Sequence, residues 1–236
     1  MDLSEEQSPG ATQIFIELQE KLRQNLNVSL LENIEKLSQV EIKARAFAIL
    51  GQVIREKPYL SQSQKEITTI FDEVFADVVT SVYLAGCSLD KPAQTLLRRV
   101  LELGVAIIYL WDMPHQFWGW KCHDKDLNFN EMIDYLNSPS YKSFILNENY
   151  KKSTAFLFEV EECKKIYRIL SNTIHGKIST FESVLPDRFN HNSVDWQKHL
   201  DLVTQVQNIL LHLWGNRFSD SFFELEKKLP SLSRLQ

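Results

Sequence analysis

The sequence predicts an all-α fold: an up-and-down bundle of about four long core helices, with an N-terminal helical hairpin and short accessory helices. Apolar residues recur at three- and four-residue spacing through most of the chain, the period of one helix face. Seven glycines and seven prolines in 236 residues are too few for many short strands, which need a turn about every 8–12 residues. A content of 44% hydrophobic and 24% charged residues is that of a chain that buries an ordinary globular core.

Residues 1–10, rich in charge and ending Ser8-Pro9-Gly10, read as a disordered tail. Over 11–58 two helices form the hairpin: Ile14, Leu18 and Leu22 make one stripe, and Leu30, Ile34, Leu37, Ala44, Phe47, Leu50 and Ile54 make the next, as far as Lys57-Pro58. The main bundle spans 59–216. Its first helix repeats Ile67, Ile70, Phe71, Val74, Phe75, Val78, Val79 and Val82 before Gly86. The stripe is long enough to override the low helix propensity of its β-branched residues. The next is capped by Asp90, carries Pro92 in its first turn and buries Leu97, Val100, Leu101, Gly104, Ile107, Ile108 and Trp111. Periodicity weakens between Pro114 and Ser153, which predicts short helices packed as an insertion. From Thr154 the residues Phe156, Val160, Cys163, Tyr167, Leu170 and Ile174 alternate spacings of four and three up to Gly176, the seam of a helix packed lengthwise. Leu202, Val206, Ile209 and Leu213 mark a last long helix ending at Gly215, and 217–236 reads as a short amphipathic tail with Phe222, Phe223 and Leu225.

Several function classes are disfavoured. The longest apolar run, Leu103 to Trp111, is about half of the ~20 residues that cross a bilayer. The acidic start, Met1-Asp2-Leu3-Ser4-Glu5-Glu6, lacks the apolar stretch of a secretory signal, so a cytoplasmic protein without a membrane partner is expected. Cys87, Cys122 and Cys163 are odd in number and widely spaced, which points to reduced core thiols rather than disulfides or a zinc ribbon. A net charge of −5 argues against broad electrostatic binding of nucleic acid, so any such contact must be local. No GxxxxGK, GxGxxG, GxSxG or HExxH pattern occurs, and no cofactor is expected. His115, Cys122, His123 and Asp124 lack paired ligand spacing, so no metal is expected either. Phe117-Trp118-Gly119-Trp120 reads as a plug over the bundle end, or as a surface that stacks bases or docks a partner.

Polar chemistry concentrates in Tyr167-Arg168-Ile169-Leu170-Ser171-Asn172-Thr173-Ile174-His175-Gly176. Seven helical residues turn about 700°, so Arg168 and His175 point the same way about 10 Å apart, with Ser171 or Asn172 between them. Each follows a seam residue by one position, which places the pair on the flank of the buried face, where a second helix or subunit would cover it in a partly desolvated cleft. An imidazole there deprotonates a ribose 2′-OH or protonates a leaving 5′-oxygen, and a guanidinium binds the charge that develops on phosphorus. The bland readings stand beside this one. His175 before Gly176 fits a C-terminal cap, Arg168 fits a pair with Glu161 or Glu162, and Arg98, Arg99 and Glu102 fit structural ion pairs as well as phosphate binding.

With its R-x(4–6)-H spacing from Arg168 to His175, the Leu96-Leu97-Arg98-Arg99-Val100-Leu101-Glu102 helix followed by Trp118-Gly119-Trp120, and the Leu-Ser-x-x-x-His-Gly ending, the chain resembles the HEPN superfamily over roughly residues 60–215. The resemblance implies a helical bundle over 59–216 and a homodimer whose motif helices line one composite cleft. It implies a metal-independent endoribonuclease of a defence or toxin-type system, leaving 2′,3′-cyclic phosphate and 5′-OH ends. His175 would be general acid or base, Arg168 would stabilise the phosphorane and Asn172 would orient substrate. Ser171, Arg98 and Arg99 would bind RNA, and an antitoxin or regulatory protein would be a further partner. Active members carry a polar residue after the arginine, where this chain has Ile169. The family also holds non-catalytic members, so an RNA- or protein-binding module is the alternative, and a helical scaffold without a nucleic-acid role is a third.

Overall fold

The computed structural model describes residues 13–148, 159–178 and 187–235. Among these there is no strand, and the helices are α1 (Gln13–Leu31), α2 (Ile34–Arg55), α3 (Gln62–Ile67), α4 (Thr69–Gly86), α5 (Asp90–Asp112), α6 (Pro114–His123), α7 (Phe129–Leu136), α8 (Pro139–Glu148), α9 (Val160–Ile174), α10 (Ser193–Arg217) and α11 (Ser219–Lys228). Single 3-10 turns cover Asp187–Phe189 and Leu232–Arg234. The all-α class expected from the apolar period is what the chain adopts. The tail at 1–10 and the beginning of the motif helix at Thr154, with Phe156, lie outside the described residues.

One core sits among α2, α4, α5 and α10. Phe47, Leu50 and Ile54 of α2 meet Phe71, Val74 and Val78 of α4, Leu97, Leu101 and Ile108 of α5, and Val203, Leu210 and Trp214 of α10. Trp214 is the hub. Its ring stands edge-on to Phe47 at 4.7 Å and to Phe71 at 4.8 Å, and its indole N–H donates to the Gly104 carbonyl of α5 at 2.9 Å. A buried indole must find such an acceptor, so this bond fixes α10 against α5 as well as filling space.

The two N-terminal helices part at Asn33, which takes a left-handed backbone with φ of 57°. Leu30 therefore lies in the last turn of α1 instead of opening α2. Ser29 and Asn25 tie α1 to the end of α4, where Ser29 Oγ donates to the Gly86 carbonyl at 3.0 Å. The long C-terminal helix runs through Gly215 to Arg217, and α11 returns over α2 with Leu225 buried in the common core. The region after Pro114 forms the short helices α6 to α8. Phe117 and Phe129 are buried there, Trp120 is half-buried and Trp118 is 39% exposed. Among the described residues no helix is long and apolar enough to cross a membrane.

Candidate functional site on the face of α9

Helix α9 lies along α5. Glu161 and Glu162 in its first turn complement the positive helix end, and Cys163, Ile166 and Leu170 are its buried face. Burial pushes the Cys163 thiol up to about 12, so it is an inert core group. Cys87 is buried too, whereas Cys122 is exposed and departs from the expected core thiols.

The end of α9 follows the local rules closely. The Gly176 amide donates to the Thr173 carbonyl and the Lys177 amide to the Asn172 carbonyl, each at 3.2 Å, while Gly176 itself has φ of +59°. This is a Schellman arrangement with glycine in the left-handed position that a Cβ disfavours. His175 is the capping residue by its backbone, and its side chain is exposed.

Arg168 is exposed as well. Among the described residues it makes no ion pair, with Glu161, Glu162 or any other carboxylate, and the His175 imidazole has no partner. Helix geometry sets the two side chains on one side of α9, two turns apart. Among the described residues nothing covers the two side chains, and these residues do not form the desolvated cleft expected on the flank of the seam. Asn172 and Ser171 are half-buried between them, and the Ser171 hydroxyl oxygen is buried without a hydrogen-bond partner. Exposed Ile169, Ile174 and Ile178 border the pair.

Arg98 and Arg99 go elsewhere. Arg98 Nη2 donates to the Tyr167 hydroxyl at 2.7 Å and lies 3.0 Å from a Glu102 carboxylate oxygen. The Tyr167 hydroxyl in turn donates to that carboxylate at 3.0 Å. The Tyr167 ring is stacked on Phe129 at 3.9 Å, with 9° between the planes. Arg98 thus clamps α9 onto α5 and α7 from the inward side, and its charge is already matched. Arg99 reaches the opposite way to α4, where it pairs with Asp77 and with Glu73. Burial pushes the Asp77 carboxyl up, against the pull of Arg99. Neither arginine touches Arg168 or His175. Sequence reading offered a structural ion pair among Arg98, Arg99 and Glu102, with Glu102 four residues after Arg98 as its local signal, but it missed Tyr167 as the third member.

His115, Cys122 and His123 lie on α6 and Asp124 follows it, and among the described residues no three His, Cys, Asp or Glu side chains converge well enough to hold a metal ion. Among the described residues the arrangement is an all-α bundle with an exposed Arg/His face, unpaired there, on α9. No family model, curated protein or solved structure matches the chain.

Proposed function

We propose that this chain is an HEPN-like, metal-independent endoribonuclease of a defence or toxin-type system, acting in the cytoplasm as a homodimer. The observation that carries the reading is that Arg168 and His175 stand on one side of α9, exposed and unpaired among the described residues. A cation and an imidazole uncommitted among the described residues are available to a phosphodiester. Exposed Ile169, Ile174 and Ile178 beside them are a border that a second copy of the helix would cover, and covering it would exclude the water that weakens electrostatic catalysis.

In the composite cleft one histidine takes the proton of the ribose 2′-OH, whose oxygen attacks phosphorus. The 5′-oxygen leaves with a proton from the other histidine, giving a 2′,3′-cyclic phosphate and a 5′-hydroxyl. Arg168 would neutralise the equatorial oxygens and Asn172 would orient the ribose. The commitment of Arg98 and Arg99 to Tyr167, Glu102, Asp77 and Glu73 takes them out of the set that binds RNA in this proposal.

A specific feature favours the second reading, a non-catalytic module that binds RNA or a regulatory protein. Ile169, directly after Arg168, is 40% exposed, and an apolar side chain at that place suits docking better than chemistry. Incubation of wild-type and His175→Ala protein with total RNA in EDTA separates the two. Cleavage that ends in cyclic phosphate and is lost in the variant supports the nuclease. No cleavage by a folded dimer replaces it with the binding module.

A further inference from the structure

Away from α9, a cleft of about 550 Å³ lies between α2, α10 and the C-terminal segment, within the size range of small-molecule sites. Lys43 of α2 lines it, with Asn208, His212 and Asn216 along one stripe of α10 and Glu226 of α11. Leu211, Phe222 and Leu232 supply an apolar wall.

Lys43 is anomalous. The residue is only 7% exposed, and burial lowers the basicity of its ammonium. A buried lysine ordinarily has a carboxylate partner, because desolvating an ammonium is costly without one. Lys43 Nζ instead donates to a neutral acceptor, Asn208 Oδ1, at 2.8 Å, and among the described residues it forms no ion pair. An ammonium has three donors, and among the described residues Asn208 takes one of them. Glu226 lines the same space without pairing with it.

We infer that this cleft is a binding site for a small organic monocarboxylate, whose carboxylate is held by Lys43 beside the Asn208 amide and whose short apolar body lies on Leu211, Phe222 and Leu232. One negative charge supplies the missing counter-ion. A second would face Glu226, so the cleft selects a monoanion over phosphate. The inference is independent of the reading of α9.

Calorimetric titration of the full chain with sodium butyrate, and in parallel with inorganic phosphate, tests it. Butyrate should bind saturably with a Kd on the order of 1 mM, ordinary for so few atoms. Lys43→Met should weaken it at least about ten-fold while keeping the helical circular dichroism, and phosphate should bind at least about ten-fold more weakly than butyrate. Absence of saturable butyrate binding, equal binding by the variant, or tighter binding of phosphate each overturns the site. If Lys43→Met does not fold, carbon NMR of the Lys43 side chain in the wild type decides the matter. Its titration midpoint should rise at saturating butyrate, and an unmoved midpoint rejects the contact.

Discussion

Single side chains show how differently this fold treats its charges. Asp112 at the end of α5 is almost fully buried, with its side chain 3% exposed. Arg217 Nε donates to it at 2.9 Å, Arg217 Nη2 closes a fork on the other oxygen, and the Tyr141 hydroxyl donates at 2.6 Å. Because the guanidinium would be left buried and unmatched, Asp112→Ala should lower stability by about 3–5 kcal/mol in chemical denaturation. His199 is the reverse case, a buried imidazole kept neutral. The Ser81 hydroxyl donates to the Ala93 carbonyl at 2.7 Å, so at 3.1 Å it accepts from His199 Nε2, and Nδ1 is left buried without a partner. Burial pushes the imidazole from 6.5 down to about 4. The unfolded chain therefore binds the proton first, and the contribution of His199 is complete above about pH 6.5. It is lost as pH falls towards 4, by roughly 3 kcal/mol. Denaturation midpoints at pH 7 and pH 4.5 should show this, and His199→Gln should flatten the difference. Arg168 and His175, exposed and unpaired among the described residues, should each tolerate alanine within about 0.5 kcal/mol, so that any lost activity reports on chemistry or binding. A larger drop in melting temperature would assign them to structure.

At the scale of helices, close approaches decide what periodicity leaves open. A Cβ on Gly51 of α2 would lie 2.6 Å from the Phe71 Cβ of α4, an atom that moves only if α4 moves. Gly51→Ala should therefore cost about 1–2 kcal/mol net, with overpacking of about 1–3 kcal/mol outweighing a propensity gain of up to about 1 kcal/mol. Thermal unfolding of that variant is the check, and an unchanged or higher midpoint would show that the helices separate easily. The buried faces of α4, α5 and α9 were legible because each repeats its apolar residues every three or four positions, and the stop at Gly176 because only glycine suits the left-handed position there. The Arg98–Tyr167–Glu102 clamp was only half legible. Arg98 and Glu102 are one turn apart on α5, but Tyr167 joins them only because α9 lies against α5, and no local spacing relates Arg98 to a residue 69 positions later.

Over the whole molecule, α2 belongs to the same core as α4, α5 and α10, so the N-terminal segment read as a hairpin is not a detachable appendage of the bundle. Removing residues through 58 should unfold the remainder, since Phe47, Leu50 and Ile54 would leave Trp214 and Phe71 uncovered. The exposed isoleucines of α9 act at this scale too. On the proposed dimer, Ile174→Glu should shift sedimentation to the monomer and leave the melting profile of the fold nearly unchanged, because Ile174 is 41% exposed. A variant that still sediments with the wild type would place the dimer contact elsewhere or remove it.

The sequence by itself determined that this protein is helical, which faces of α4, α5 and α9 are buried, and that Arg168 and His175 share a side of one helix. These properties follow from a 3.6-residue period and from glycine's backbone freedom, both of which act within a few residues. Only the tertiary structure decided that Tyr167 joins Arg98 and that Arg99 is spent on α4, that Lys43 is buried beside an amide, that His199 is held neutral, and that Arg168 and His175 are exposed among the described residues. Those outcomes depend on which helix covers which face, a choice made by the summed burial of the whole core, and a charged side chain takes whatever partner or solvent that packing leaves within reach.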